Sequence, residues 1–86
     1  MEQFNFSNSS IDLACESVGE FLLKADVDRR EALRTKLMFE EVLLEYQAKL
    51  GEDATYKLKC TKRLFAIRVE IEVLGESFNP LEIRSN

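Results

Sequence analysis

The chain has 86 residues, 45% hydrophobic and 33% charged, a length that bounds it to one domain hiding about 60–65% of its unfolded surface. Its composition is too apolar for a disordered tail. Sixteen acidic against twelve basic residues leave a net charge of −4, so no diffuse field favours nucleic acid or anionic lipid.

In chain order, QFNFS comes first, alternating Phe4 and Phe6 with polar neighbours, which predicts a short strand with one buried face. Ser9 and Ser10 then offer an N-cap, with Asp12 three residues after Ser9 in a capping-box arrangement. The first helix is expected from about 10 to 25, with Ile11, Ala14, Val18, Phe21 and Leu22 on its apolar face and Glu16, Glu20 and Lys24 outside.

A second helix is predicted from Asp28, whose side chain can cap while Glu31 completes D-x-x-E, to Leu50, with Gly51 as the residue that ends it. Its apolar residues fall on two faces. Leu33, Leu37, Leu44 and Ala48 form the first; Met38, Phe39, Val42, Leu43, Tyr46 and Leu50 form the second. Both faces are expected to be covered. Between them runs a stripe of Arg34, Glu41 and Glu45, whose two carboxylates stand four residues apart and repel by about 0.2–0.5 kcal/mol. Arg34, two turns earlier, can relieve that repulsion by an exposed ion pair, or a cation can use the carboxylates.

After Gly51 the period changes to two. Tyr56, Leu58 and Cys60 alternate with Lys57 and Lys59; then Phe65, Ile67, Val69, Ile71 and Val73 alternate with Ala66, Arg68, Glu70 and Glu72. Thr61-Lys62-Arg63 is the expected turn of this hairpin. The cluster Lys57, Lys59, Lys62, Arg63 reads as the solvent face of the hairpin, with a phosphate or acidic partner as the alternative. The tail LGESFNPLEIRSN holds Gly75 and Pro80 and reads as loop, with LEI a stub of further structure.

The expected fold is therefore α+β, a two-layer sandwich of an antiparallel sheet with two helices on one face, in the order β-α-α-β-β, as a single domain over 1–86. Three strands are few for a long helix apolar on two sides, which suggests that a covering element is absent from this chain. No histidine is present and the cysteines, Cys15 and Cys60, lack CxxC spacing, which argues against zinc and against a Cys-His nucleophile. Both cysteines fall on apolar positions and read as core residues suited to a reducing compartment. With no apolar run near the 18 or so residues that span a bilayer, the expectation is a cytoplasmic domain without direct membrane insertion.

FEEVLLEYQAKLG, residues 39–51, together with the later LGESFNP resembles the histidine-kinase-like ATPase superfamily of gyrase, a class of heat-shock chaperones, histidine kinases and anti-sigma-factor kinases. In that superfamily the second long helix carries E-x-x-x-N, and a later strand ends in D-x-G, followed in the anti-sigma branch by a stretch like F-D-P. On this chain Glu41 falls on the motif's Glu, Glu45 on its Asn, Val73 on its Asp and Gly75 on its Gly, while Phe78, Asn79 and Pro80 match the branch-specific tail. In the superfamily the Asp accepts a hydrogen bond from the adenine amino group and the Asn ligates Mg²⁺. Val73 has no acceptor, and an amino group left unpaired costs about 1–3 kcal/mol. Glu45 is the remaining candidate for Mg²⁺, since that cation accepts carboxylate oxygen.

The resemblance thus implies a degenerate, partial histidine-kinase-like ATPase fold, the N-terminal part of a larger domain, without cofactor or catalysis, acting as a regulatory or interaction domain. The alternative is the N-terminal fragment of a nucleotide- and Mg-binding domain of the same superfamily. A narrower resemblance, of VDRREALRTKLMFEEVLLEYQAKLGEDATYKLK followed by FNPLE, is to the cytoplasmic N-terminal domain attached to certain bacterial sodium:dicarboxylate symporter-family proteins. It implies a regulator of an attached transporter at the inner face of the membrane. The expected partners are that transporter, another protein, or a second copy meeting through the sheet edge or the second helix.

Overall fold

A computed structural model describes residues 2–64, 66–73 and 76–84, with side chains described for residues 3–64 and 66–73. The elements in order are β1 (Glu2–Asn5), α1 (Asn8–Lys24), α2 (Arg29–Leu50), β2 (Thr55–Arg63), β3 (Ala66–Val73) and β4 (Glu76–Arg84). The fold is α+β, and the order β-α-α-β-β is continued by a fourth strand. All neighbouring strands are antiparallel, in the spatial order β1-β2-β3-β4.

Residues 76–84 thus form a strand, and the loop expected for the tail is corrected. Pro80 has a place there because of a β-bulge. Leu81 stands opposite Val69 and Phe78 opposite Ile71, so Asn79 and Pro80 share the space facing Glu70. A bulge frees one residue from the ladder, and β4 is an edge strand, two conditions under which a sheet accepts proline. The expected hairpin turn is also displaced. Thr61, Lys62 and Arg63 remain in β2, opposite Arg68, Ile67 and Ala66, so the chain reverses at the residues beyond them. Phe65 lies outside the described residues.

α1 begins two residues before its expected start. Ser7, not Ser9 or Ser10, is the N-cap, its Oγ accepting the backbone N–H of Ser10 at 3.3 Å. Asn5 supports the entry, its Oδ1 accepting from the Ser7 N–H at 2.9 Å. Asp28 caps α2 as expected, accepting from Arg30 N–H at 3.1 Å. Gly51 ends the helix at φ 88° and ψ 167°, a region of backbone space that is essentially glycine's alone.

Both helices cover one face of the sheet. On β3, buried Ile67, Val69, Ile71 and Val73 alternate with half-buried residues, and Tyr56 and Leu58 of β2 continue the dry face. Against it pack Ile11, Ala14, Cys15, Val18 and Leu22 of α1 and Ala32, Phe39 and Leu43 of α2, in one contiguous core. Phe6, fully buried just after β1, lies 4.6 Å from the Tyr56 ring and 5.9 Å from Tyr46, joining the first strand, the second helix and the sheet. Cys15 is in the core and Cys60 half-buried against it, both as free thiols. On the open face Lys57 stands opposite Glu72 and Lys59 opposite Glu70, cross-strand pairings of opposite charge, and Arg63 shares that face; Lys62, in register with buried Ile67, falls on the helix-covered side, so the solvent-face reading holds for three of the four.

Candidate functional site

α2 carries most of what could serve a function, because its apolar residues exceed what one core can take. Successive residues advance by about 100° around the axis, so Phe39 and Leu43, both fully buried, mark the side turned to the sheet. Val42 and Tyr46 of the same expected face are half-buried, whereas Met38 and Leu50 are exposed. The other face is open. Leu33 is 57% exposed, Leu37 54% and Leu44 42%, and Ala48 is exposed beside them, so the covering expected on both sides exists on one.

The stripe between these faces is exposed as well. Glu41 and Glu45 both face outward on α2, and Arg34 pairs not with Glu41 but with Glu31, one turn before it, at 3.8 Å. The stripe's expected internal neutralisation is therefore absent. Glu45 lines a surface depression with Val42, Tyr46 and Lys49. Among the described residues no three of His, Cys, Asp and Glu come together in a way that could hold a metal ion.

Val73 closes β3 at 7% exposure, opposite Tyr56 on one side and Glu76 on the other, and belongs to the core. Gly75 lies outside the described residues, and Phe78, Asn79 and Pro80 are described only as backbone of β4, a strand in place of the expected loop. The structure thus brings Glu41 and Glu45 together on one helix and sets Val73 apart from them on the buried face of the sheet.

No family model, curated protein or solved structure matches this chain. Among the described residues no helix is long and apolar enough to cross a membrane.

A groove of about 350 Å³ lies where α1 and α2 run side by side. Glu16, Gly19, Glu20 and Leu23 form one wall and Arg29, Ala32, Leu33 and Lys36 the other. At Gly19 a Cβ would meet the Lys36 side chain at 3.5 Å, an ordinary contact, so the helix spacing there does not depend on glycine. Leu23, 49% exposed, lines this groove together with Leu33, so the open apolar face of α2 continues onto α1. The periodicity of α2 revealed that face; the contribution of Leu23 was hidden, because its position relative to α2 depends on how the two helices dock.

Proposed function

We propose that this domain is a non-catalytic regulatory or interaction module. The observation that carries the reading is the apolar stripe Leu33, Leu37, Leu44 on α2, which the core leaves about half-exposed. A contiguous apolar surface of this kind costs solubility and marks a place where another surface docks. Exposed Glu41 and Glu45 without a third ligand, and a valine where the resembling superfamily has its adenine-binding Asp, support a degenerate rather than a working nucleotide site. The resemblance to a transporter-attached domain makes a cytoplasmic regulatory role at the inner face of a membrane its physiological setting.

The second reading, a fragment of a nucleotide- and Mg-binding domain, draws on the same open face, which further chain would cover. A thermal-shift titration with ATP, ADP and Mg²⁺ decides between them, run on this chain and on Val73→Asp, each against its own unliganded midpoint. A working site held at 100 times its Kd gains about 2.7 kcal/mol, roughly 10–20 °C in a domain of this size. The interaction reading expects no shift in the native chain. A shift there overturns it and makes Glu41 and Glu45 ligands; a shift in the variant alone makes Val73 the residue that closed an inherited pocket.

A further inference from the structure

We propose that the open face of α2 docks a second copy of this chain, the two helices crossing antiparallel about a two-fold axis between Glu40 and Glu41. The inference rests on the interaction-module reading and names the partner. It follows from a symmetry in where the apolar and charged residues stand.

The apolar stripe is spaced alike from both ends. Rotation about a point between residues 40 and 41 places Leu37 opposite Leu44 of the second copy and Leu33 opposite its Ala48, so every apolar position of the stripe meets another. That is the self-complementarity a two-fold interface demands, with each pairing occurring twice. The flanking charges obey the same rotation. In an antiparallel pair, residues on one flank of the seam meet residues on the same flank of the partner helix. Arg34 and Glu45 share a flank, and at 1.5 Å per residue Arg34 falls within about 3 Å, along the axis, of Glu45 in the second copy. Glu40 and Glu41 stand equally close to the two-fold, Glu40 of each copy facing Glu41 of the other, so four carboxylates gather at the centre and the attraction between unlike charges comes from the Arg34–Glu45 pairings on either side. An in-register parallel pair would instead set this flank against the partner's other flank, and the Arg34–Glu45 pairing would be lost.

The polarity of the helix supports this choice independently. Arg29, Arg30, Arg34 and Lys36 outweigh Glu31 in the first half of α2, and Glu40, Glu41 and Glu45 outweigh Lys49 in the second. A helix dipole favours the reverse, acids at the N-terminus and bases at the C-terminus. Within one copy the arrangement therefore works against the helix that bears it. Against an antiparallel copy it lays a basic half on an acidic half twice over, and the two helix dipoles oppose. Leu23 and Leu33, lining the same groove, widen the apolar seam toward α1.

Sedimentation equilibrium of the 86-residue chain across a concentration series tests the proposal, with circular dichroism confirming that each variant folds. The expected result is a monomer–dimer equilibrium. Leu37→Glu, at a position 54% exposed and outside the core, should raise the dimer Kd at least about 100-fold with the helix content intact. Arg34→Glu and Glu45→Arg should each weaken the dimer about tenfold, while an equimolar mixture of the two recovers it, because every reversed charge then faces its opposite. A monomer at every concentration overturns self-pairing but leaves the interaction-module reading, which is decided separately by the nucleotide titration. A dimer indifferent to Leu37→Glu places the contact elsewhere and overturns the proposal, and a dimer that the mixture fails to rescue overturns the antiparallel geometry.

Discussion

Tyr56 is the least comfortable residue of the core. It is 1% exposed, stacked near Phe4 and tilted against Phe6, and its hydroxyl has no hydrogen-bond partner among the described residues. The ring packs against Phe4 and Phe6 inside the core, but its oxygen is buried without a partner, a cost of about 1–3 kcal/mol. Burial, with the nearby Cys15 thiol adding to it, pushes the phenol's pKa well above its ordinary value of 10.0. Tyr56→Phe keeps the ring and removes the orphaned oxygen, so it should stabilise the domain by about 1 kcal/mol, read as a higher urea midpoint at unchanged slope. The sign of the pH effect follows from the raised pKa. The unfolded phenol ionises near 10 while the folded one resists, so stability present below that pH is lost as the pH rises above it. Tyr56→Phe should flatten this alkaline decline, and a parallel decline in both proteins would assign it to other groups, Cys15 among them, whose thiol burial and Glu40 push up to about 11.

The ends of the elements separate what the sequence expresses from what it conceals. Hydrophobic periodicity located both helices and the β2–β3 pair, because burial of alternate or every third and fourth residue is written in residue type. Boundaries fared differently. α1 closes in a Schellman turn, with Asp26 N–H donating to the Leu23 carbonyl at 3.1 Å and Val27 N–H to that of Leu22 at 3.0 Å, and Asp26 takes the left-handed conformation at φ 64°. No glycine or asparagine announces that turn. The β4 strand was concealed for a related reason: Pro80 reads as a breaker unless a bulge on an edge receives it, and a bulge is a property of two paired strands. For the candidate site, the stripe of Arg34, Glu41 and Glu45 was legible as a helix face, but its Glu31 partner depended on side-chain geometry. Asp26→Gly relieves a left-handed Cβ and should stabilise by about 0.5–1 kcal/mol, measured by chemical denaturation. Asp26→Val, which keeps the strain and adds branching, should do the opposite; equal stability of the two variants would contradict the strained-turn account.

At the scale of the whole molecule, the chain's first residues are secured by a residue 41 positions further along. Gln47, on the last turns of α2, donates through Nε2 to the Phe6 carbonyl, at 2.6 Å, and to the Asn8 side-chain oxygen, at 2.9 Å. Beside it, the Phe6 N–H donates to the Glu52 carbonyl at 3.1 Å, so the β1–α1 junction is clamped by the end of α2 and the loop that follows. This clamp matters because β1 is only four residues long and borders the sheet on one side alone. It also holds Phe6 where its ring closes the core. Gln47→Glu is nearly isosteric but replaces two donated protons by a carboxylate facing two acceptor oxygens. The expected loss is about 1–3 kcal/mol at neutral pH. Facing only acceptors, that carboxylate favours its protonated form when folded, so its pKa is raised and the deficit should shrink as the pH falls through the carboxylate range, where a protonated oxygen can donate one bond. Hydrogen exchange locates the effect: amides of β1 and the start of α1 should lose protection before those of β3. Uniform loss of protection would mean that the clamp carries the stability of the entire domain, and an unchanged midpoint would mean that β1 is held by its pairing with β2 and its aromatic contacts with Tyr56.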